Sequence, residues 1–229
     1  MDRKKFLKKG LMGFGAFVAI PTVLSSCSKD DEEITDNSDC AISPTETVGP
    51  FPILTPTQLV RSSIIGDRPG VALLFTITIN DQSTGCTPLA GVLVDVWQCD
   101  KDGNYSQYGG NQLQPTDYRN QNFLRGRQIT NASGQVSFLS IFPGWYPGRA
   151  PHIHVEVLTA SGTSLLVTQI AFPVAAFTEV YATSGYNGSP NTSNTQDSIF
   201  ADSLSENMAD SCTGNVTDGY VLLKTITVA

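Results

Sequence analysis

Gly144-Trp145-Tyr146-Pro147-Gly148-Arg149-Ala150-Pro151-His152-Ile153-His154 holds both histidines of this 229-residue chain, two positions apart. Side chains along a β-strand alternate between faces, so His152 and His154 share one side and Ile153 takes the other. The alternation runs on: Ile153, Val155 and Val157 make an apolar face, and His152, His154 and Glu156 the opposite one. This pattern predicts a strand with one face in a core. Two imidazoles on its other face are half of a metal site. The quoted run contains no carboxylate, and the chain has no C-x-x-C pair, so Tyr146 is the nearby candidate for a third donor. A phenol has a pKa of about 10 and ionises near neutrality only beside strong positive charge, such as a trivalent metal. A Tyr/His set therefore leans toward Fe(III) rather than Zn(II).

Working outward, Val71–Asn80 and Gln135–Ile141 read as strands from their β-branched and aromatic content. Gly91–Cys99 alternates, with Val92, Val94 and Val96 on one side and Leu93, Asp95 and Trp97 on the other. His152–Thr159 and Thr163–Phe172 flank Ala160-Ser161-Gly162 and predict a hairpin. Tyr220–Val228 predicts a closing strand. Two polar stretches, about 105–122 and 183–219, read as long loops, the second with one short helix near Ser203–Met208. The expected fold is all-β: a single-domain β-sandwich of mainly antiparallel strands, with long loops and little helix.

The N-terminus has a different character. Arg3, Lys4, Lys5, Lys8 and Lys9 precede an apolar run from Gly10 to Leu24, too short to span a bilayer comfortably. Leu24-Ser25-Ser26-Cys27 follows. A basic segment, a short apolar segment and small residues before a cleavage point read as a signal peptide over residues 1–26. The final cysteine resembles a bacterial lipobox, which implies a lipid anchor on Cys27 and a place in the cell envelope. Arg3-Lys4-Lys5-Phe6-Leu7-Lys8 also resembles a twin-arginine export signal with lysine in the second arginine position. Residues 28–43 read as a flexible acidic linker, and 44–229 as the folded domain. Ser28-Lys29-Asp30-Asp31-Glu32-Glu33 resembles an acidic tag of surface-exposed lipoproteins, or serves as a solvated spacer.

Without residues 1–26 the chain keeps 9 Lys and Arg against 20 Asp and Glu, a formal charge of −11. That balance argues against nucleic acid as a partner. Cys40, Cys86, Cys99 and Cys212 allow up to two disulfides in an exported protein, with the pairing open.

From Thr47 onward the chain resembles the intradiol ring-cleavage dioxygenases. The resemblance is carried by Thr47-Val48-Gly49-Pro50-Phe51, by Cys86–Val92 leading to Val96–Asp100, and by Gly103-Asn104-Tyr105-Ser106. Phe123-Leu124-Arg125-Gly126, Gly134–Phe138, the Pro143–His154 run and Leu166-Val167-Thr168-Gln169 continue it in order. Pro52 stands where a second aromatic is common. The family includes protocatechuate 3,4-dioxygenases and catechol 1,2-dioxygenases, and this chain is similar to a short, exported, single-domain subgroup. The resemblance implies non-haem Fe(III) held by Tyr105, Tyr146, His152 and His154, with Tyr146 displaced by substrate. It implies O2-dependent cleavage of a catecholic ring between its hydroxyl-bearing carbons, giving a cis,cis-muconate-type diacid. Arg149 and Gln169 would face the reacting ring, and Arg125 is divided between a site role and a structural one. An oligomer is compatible with the family. The competing expectation is a catalytically inactive β-sandwich binding module of the cell surface.

Overall fold

The computed structural model describes residues 40–229. The expected signal peptide, Cys27 and the linker as far as Asp39 lie outside the described residues. Two sheets pack face to face. One contains β1 (Ala72–Asp81), β2 (Thr87–Pro88), β5 (Gln135–Ile141), β8 (Ser211–Asn215) and β9 (Gly219–Val228). The other contains β3 (Leu93–Trp97), β4 (Arg125–Ile129), β6 (His152–Leu158) and β7 (Ser164–Ala171), in the order β4-β3-β6-β7. All pairings are antiparallel except β1 with β9, which runs parallel from Leu73↔Tyr220 to Asp81↔Val228.

The core lies between the sheets. Leu73, Phe75, Ile77 and Ile79 of β1 alternate inward and are buried, and they join Val94 and Val96 of β3 and Ile153, Val155 and Val157 of β6 in one apolar cluster. Burial of each such side chain is worth about 1.5–3 kcal/mol, so a one-residue register slip in β6 is excluded: it would take the valines out of the inter-sheet core and put the imidazoles and Glu156 into it. The apolar face expected for Ile153, Val155 and Val157 is the face found.

The four-stranded sheet differs from an ordinary sandwich sheet in being buried on its outer side as well. Trp97, His152, His154 and Gln169 point away from the inter-sheet core and are still buried. Polar loops and the Cys40–Gly70 segment cover them. This face carries the candidate site.

Several elements were not foreseen. Arg125–Ile129 forms edge strand β4 although Arg-Gly-Arg-Gln lacks strand composition; β3 and the bridging segment at Val60 supply its partners. Ser211–Asn215, expected within a long loop, is strand β8, paired with β9. Val174–Tyr181 is a helix, α1, whose buried Ala176, Phe177, Val180 and Tyr181 follow the helical period. Its Tyr181 hydroxyl donates to the Pro143 carbonyl at 3.0 Å and so anchors the start of the histidine-bearing run. The short helix expected near Ser203–Met208 is α2, Leu204–Asn207.

The linker boundary moves. Cys40 is bonded to Cys86, and Ser43 exchanges hydrogen bonds with Thr227 at the end of β9. Residues 40–43 therefore belong to the fold. Of the four candidate cysteines, Cys40 and Cys86 pair, while Cys99 and Cys212 are free thiols.

Candidate active site

One rung across the four-stranded sheet positions much of the site. Arg125 of β4 lies opposite Trp97 of β3, Trp97 opposite His154 of β6, and His154 opposite Gln169 of β7. Residues directly opposite in neighbouring strands share a face. All four therefore project to the loop-covered side, and each is nearly or fully buried. Trp97 stacks on His154 with ring centroids 5.0 Å apart and planes 4° from parallel.

Tyr105 reaches the same place from the loop after β3. The turn from Asp100 to Asn104 closes on the Asp100 carboxylate, which accepts the Asp102 and Asn104 amides at 3.0 and 2.9 Å. Gly103, at φ +86°, packs so close to the Trp145 carbonyl that a side chain would clash. This backbone contact, with the Gly144 amide donating to the Asp100 carbonyl at 3.0 Å, joins the segments that carry Tyr105 and Tyr146. Gln114 then fixes Tyr105 from both sides: its Oε1 accepts the Tyr105 amide at 2.7 Å and its Nε2 donates to the Tyr105 carbonyl at 2.8 Å.

The polar tips converge. His152 Nε2 lies 3.1 Å from His154 Nε2 and 3.4 Å from the Tyr105 hydroxyl. The Tyr146 ring stands edge-on to Tyr105 and His152, with centroids 5.8 and 5.7 Å away. His152 Nδ1 donates to the Ala150 carbonyl at 2.6 Å, which leaves the Nε2 lone pair turned into the cluster. Thr47–Phe51 closes the site from above. Phe51 stacks on Tyr105 at 4.8 Å. Gly49, at φ +68°, lies against the His154 imidazole, where an added Cβ would stand 2.9 Å from Cε1.

Electrostatics follow from this enclosure. Burial, then the charge of Arg149, pushes the His152 pKa down to about 3, partly countered by its bond to Ala150. Burial, and next the neighbouring His152, holds His154 well below the ordinary range. Both rings are thus neutral bases at physiological pH. Burial drives the Tyr105 phenol well above its usual value; Tyr146 and Cys99 push the same way, and Arg149 and Arg125 oppose them. Burial also raises Tyr146, against the pull of Arg149, whose side chain hydrogen-bonds the phenol. The protein by itself keeps both phenols protonated.

Among the described residues there is no group of three or more His, Cys, Asp and Glu that could hold a metal ion. The Tyr105/Tyr146/His152/His154 set can. Donors bound at about 2.1 Å to one ion lie about 3 Å apart, close to the 3.1 and 3.4 Å that separate His152 Nε2 from His154 Nε2 and from the Tyr105 hydroxyl. Two neutral imidazoles and two phenols that ionise only against a strong Lewis acid suit a trivalent ion.

Arg149 is the charged neighbour of this cluster. Its Nε lies 2.9 and 2.8 Å from the two carboxylate oxygens of Asp197, and its Nη2 donates to Gln169 Oε1 at 2.5 Å. Asp197 is fully buried and also accepts the Ala150 amide at 2.8 Å. Sequence reading missed Asp197 and Gln114. Both lie in polar stretches without periodicity, and their partners are 47 or 48 and 9 residues away in the chain. Arg125, held open between two roles, donates to the Ser106 carbonyl and hydroxyl and to the Phe51 carbonyl. It clamps the segments on either side of Tyr105 and lies 5.8 Å from that ring.

A family model described as dioxygenase matches residues 54–184, more than half of the chain. An intradiol ring-cleavage dioxygenase from Tetranychus urticae superposes with a TM-score of 0.73 at 31% identity, covering 82% of this chain and 95% of that one. Chlorocatechol 1,2-dioxygenase of Rhodococcus opacus is 33% identical over 150 residues, 54% of each chain. The protocatechuate 3,4-dioxygenase beta chain of Burkholderia cepacia is 36% identical over 125 residues, 51% of each chain. This chain spans about half the length of the curated relatives it matches. The fold and the matched region define a dioxygenase-type β-sandwich. The chain belongs to the intradiol ring-cleavage dioxygenase family, whose members use non-haem Fe(III) and act with O2 on catecholic substrates.

Proposed function

We propose that this protein is a non-haem Fe(III) dioxygenase that opens catechol-type rings between their hydroxyl-bearing carbons to give cis,cis-muconate-type diacids. Tyr105, Tyr146, His152 and His154 would hold the iron. The observation that carries this reading is the convergence on His152 Nε2 of His154 Nε2 at 3.1 Å and the Tyr105 hydroxyl at 3.4 Å, flanked by the Tyr146 ring.

Bound Fe(III) would supply the Lewis acidity that ionises phenols and catechol, and would make the chelated ring electron-rich enough to react with O2. The protein supplies the rest. Tyr146, the more exposed of the two phenols and hydrogen-bonded to Arg149, is placed to leave the cluster and take up a catechol proton at its oxygen. Arg149, fixed by Asp197 and Gln169, offers a guanidinium to negative charge on the ring as it loses aromaticity. Gln169 is itself held by donation from Nε2 to the Thr47 carbonyl at 2.8 Å. Phe51, Trp97 and Tyr105 wall the cluster with aromatic surface that keeps water away.

The same reading puts the protein in the cell envelope, anchored through Cys27. The basic-apolar-small pattern ending at Cys27 supports it, as does the Cys40–Cys86 bond, which persists in oxidising compartments.

Aerobic purification after iron loading tests the function. A reddish tyrosinate-to-Fe(III) band is expected, weakened or moved in Tyr146→Phe and absent with the metal in His154→Ala. Oxygen uptake with a catechol panel should yield products carrying both oxygen atoms. A protein that stays colourless and iron-free after loading would leave the inactive binding module standing instead.

A further inference from the structure

We infer that the substrate is a catechol whose ring substituents carry no charge, and that carboxylated catechols are excluded. This deepens the dioxygenase reading and rests on it for the identity of the catechol core. The first observation is the space beside the donor cluster. A cavity of about 190 Å3 lies against Tyr146 and Phe51, lined further by Pro50, Gln112, Leu113 and Pro147. Pockets for drug-sized ligands occupy about 300–1,000 Å3, so this one suits a single small ring. Among the described residues no Lys or Arg lines it, and its walls are aliphatic and aromatic apart from Gln112 and the Tyr146 hydroxyl. Leu113, 73% exposed, stands at its rim on a turn built by Asn111, whose Oδ1 accepts the Leu113 and Gln114 amides at 3.0 and 2.9 Å. Gln114, the next residue, is the clamp on Tyr105, so the rim is tied to the cluster.

The second observation is an inventory of positive charge. Residues 40–229 contain eight Lys and Arg. Arg68, Lys101, Arg119, Arg127, Arg149 and Lys224 each sit on a carboxylate. Arg61 and Arg125 spend their donors on backbone carbonyls and on Ser106. Arg149, which hydrogen-bonds the Tyr146 phenol and is paired with both oxygens of Asp197, does not line the cavity. No described cation lines the cavity to meet a substituent carboxylate. The 14 Asp and Glu of the same residues leave a net charge of −6, which also disfavours the approach of an additional anion. A carboxylate carried into this cavity would lose its water and gain no partner, whereas a methyl or halogen would gain apolar contact.

The test is anaerobic calorimetric titration of the iron-loaded, disulfide-intact protein with 4-methylcatechol and with 3,4-dihydroxybenzoate, which are close in size. 4-Methylcatechol should bind on the order of 100-fold more tightly. Leu113→Arg should narrow that ratio by about tenfold, because it places one unpaired cation at the rim. Equal or tighter binding of the acid, binding of neither compound, or an unchanged ratio in Leu113→Arg overturns the inference. Oxygen uptake is read separately. Selective binding of 4-methylcatechol without oxygen uptake would sink the dioxygenase function and leave the preference intact.

Discussion

Asp197 grips Arg149 with both carboxylate oxygens, 2.9 and 2.8 Å from Nε, from 48 residues further along the chain. The same carboxylate accepts the Ala150 amide, and the Ala150 carbonyl in turn accepts His152 Nδ1–H. One buried side chain thus sets the direction of the arginine and, through the single residue Ala150, of a candidate iron ligand.

Asp197→Asn keeps the volume and removes the charge. Breaking a buried pair by removing one partner costs about 3–5 kcal/mol, because the other charge is left uncompensated. Urea denaturation should show a loss of that order. Misdirection of Arg149 should lower kcat about 100-fold while KM changes little. Wild-type kcat in a folded Asp197→Asn would refute the positioning role.

Gly49 is the contact that shapes the Thr47–Phe51 segment around His154. Gly49→Ala imposes a left-handed residue, costing about 1–2 kcal/mol, and drives a methyl into the imidazole. Gly85→Ala has the same backbone conformation, at φ +75°, with open space around it. Iron affinity measured by competition with a chelator should fall at least tenfold in Gly49→Ala and hold in Gly85→Ala. Equal affinities would show that His154 tolerates the displacement.

Gln114 replaces a neighbouring strand for Tyr105 by bonding its amide and its carbonyl. In Gln114→Leu both groups lose their partner, at about 1–3 kcal/mol for each buried group left unsatisfied. The melting temperature should fall, and the tyrosinate band of the iron-loaded protein should move because Tyr105 is no longer fixed. A destabilised variant with an unshifted band would make Gln114 a loop brace without influence on the ligand.

The metal-free protein should be acid-sensitive in a defined window. His152 titrates near 3 when folded, and His154 well below the ordinary value of 6.5. Unfolded, both take protons near 6.5. The unfolded chain therefore binds more protons as pH falls below that value. Stability from these groups is complete above about 6.5 and declines toward pH 3, by about 1.4 kcal/mol per pH unit for each histidine. Urea midpoints of chelator-treated protein between pH 7.5 and 5 should slope accordingly, with a shallower slope in His152→Asn. Identical slopes would contradict the assignment of the effect to the histidines.

The site was legible where its geometry is local. The His152–His154 face, the strand that carries it and the apolar face behind it follow from a period of two, which any strand obeys regardless of its neighbours. Strand β4 was not legible, since Arg125-Gly126-Arg127 carries no strand composition. Its conformation comes from pairing with β3, and its arginines are stabilised by Asp95 on one rung and by the Ser106 and Phe51 carbonyls on another. Strand β8, of Ser-Cys-Thr-Gly-Asn, is likewise made by its partner β9.

By itself the sequence determined an all-β chain, two histidines on one strand face, the family motif order from Thr47 to Gln169, and an acidic composition that argues against nucleic acid as a partner. The tertiary structure alone decided which distant groups meet. It selected Cys40–Cys86 out of the open pairings, placed Arg125, Trp97, His154 and Gln169 on one rung, and brought Asp197 to Arg149 and Gln114 to Tyr105. The physical reason is the range of the information. Alternation along a strand is fixed by the chirality and geometry of neighbouring residues. The partner of a buried charge or a loop amide is fixed only when chain reversal and core burial bring remote segments together and remove the water that would otherwise satisfy them.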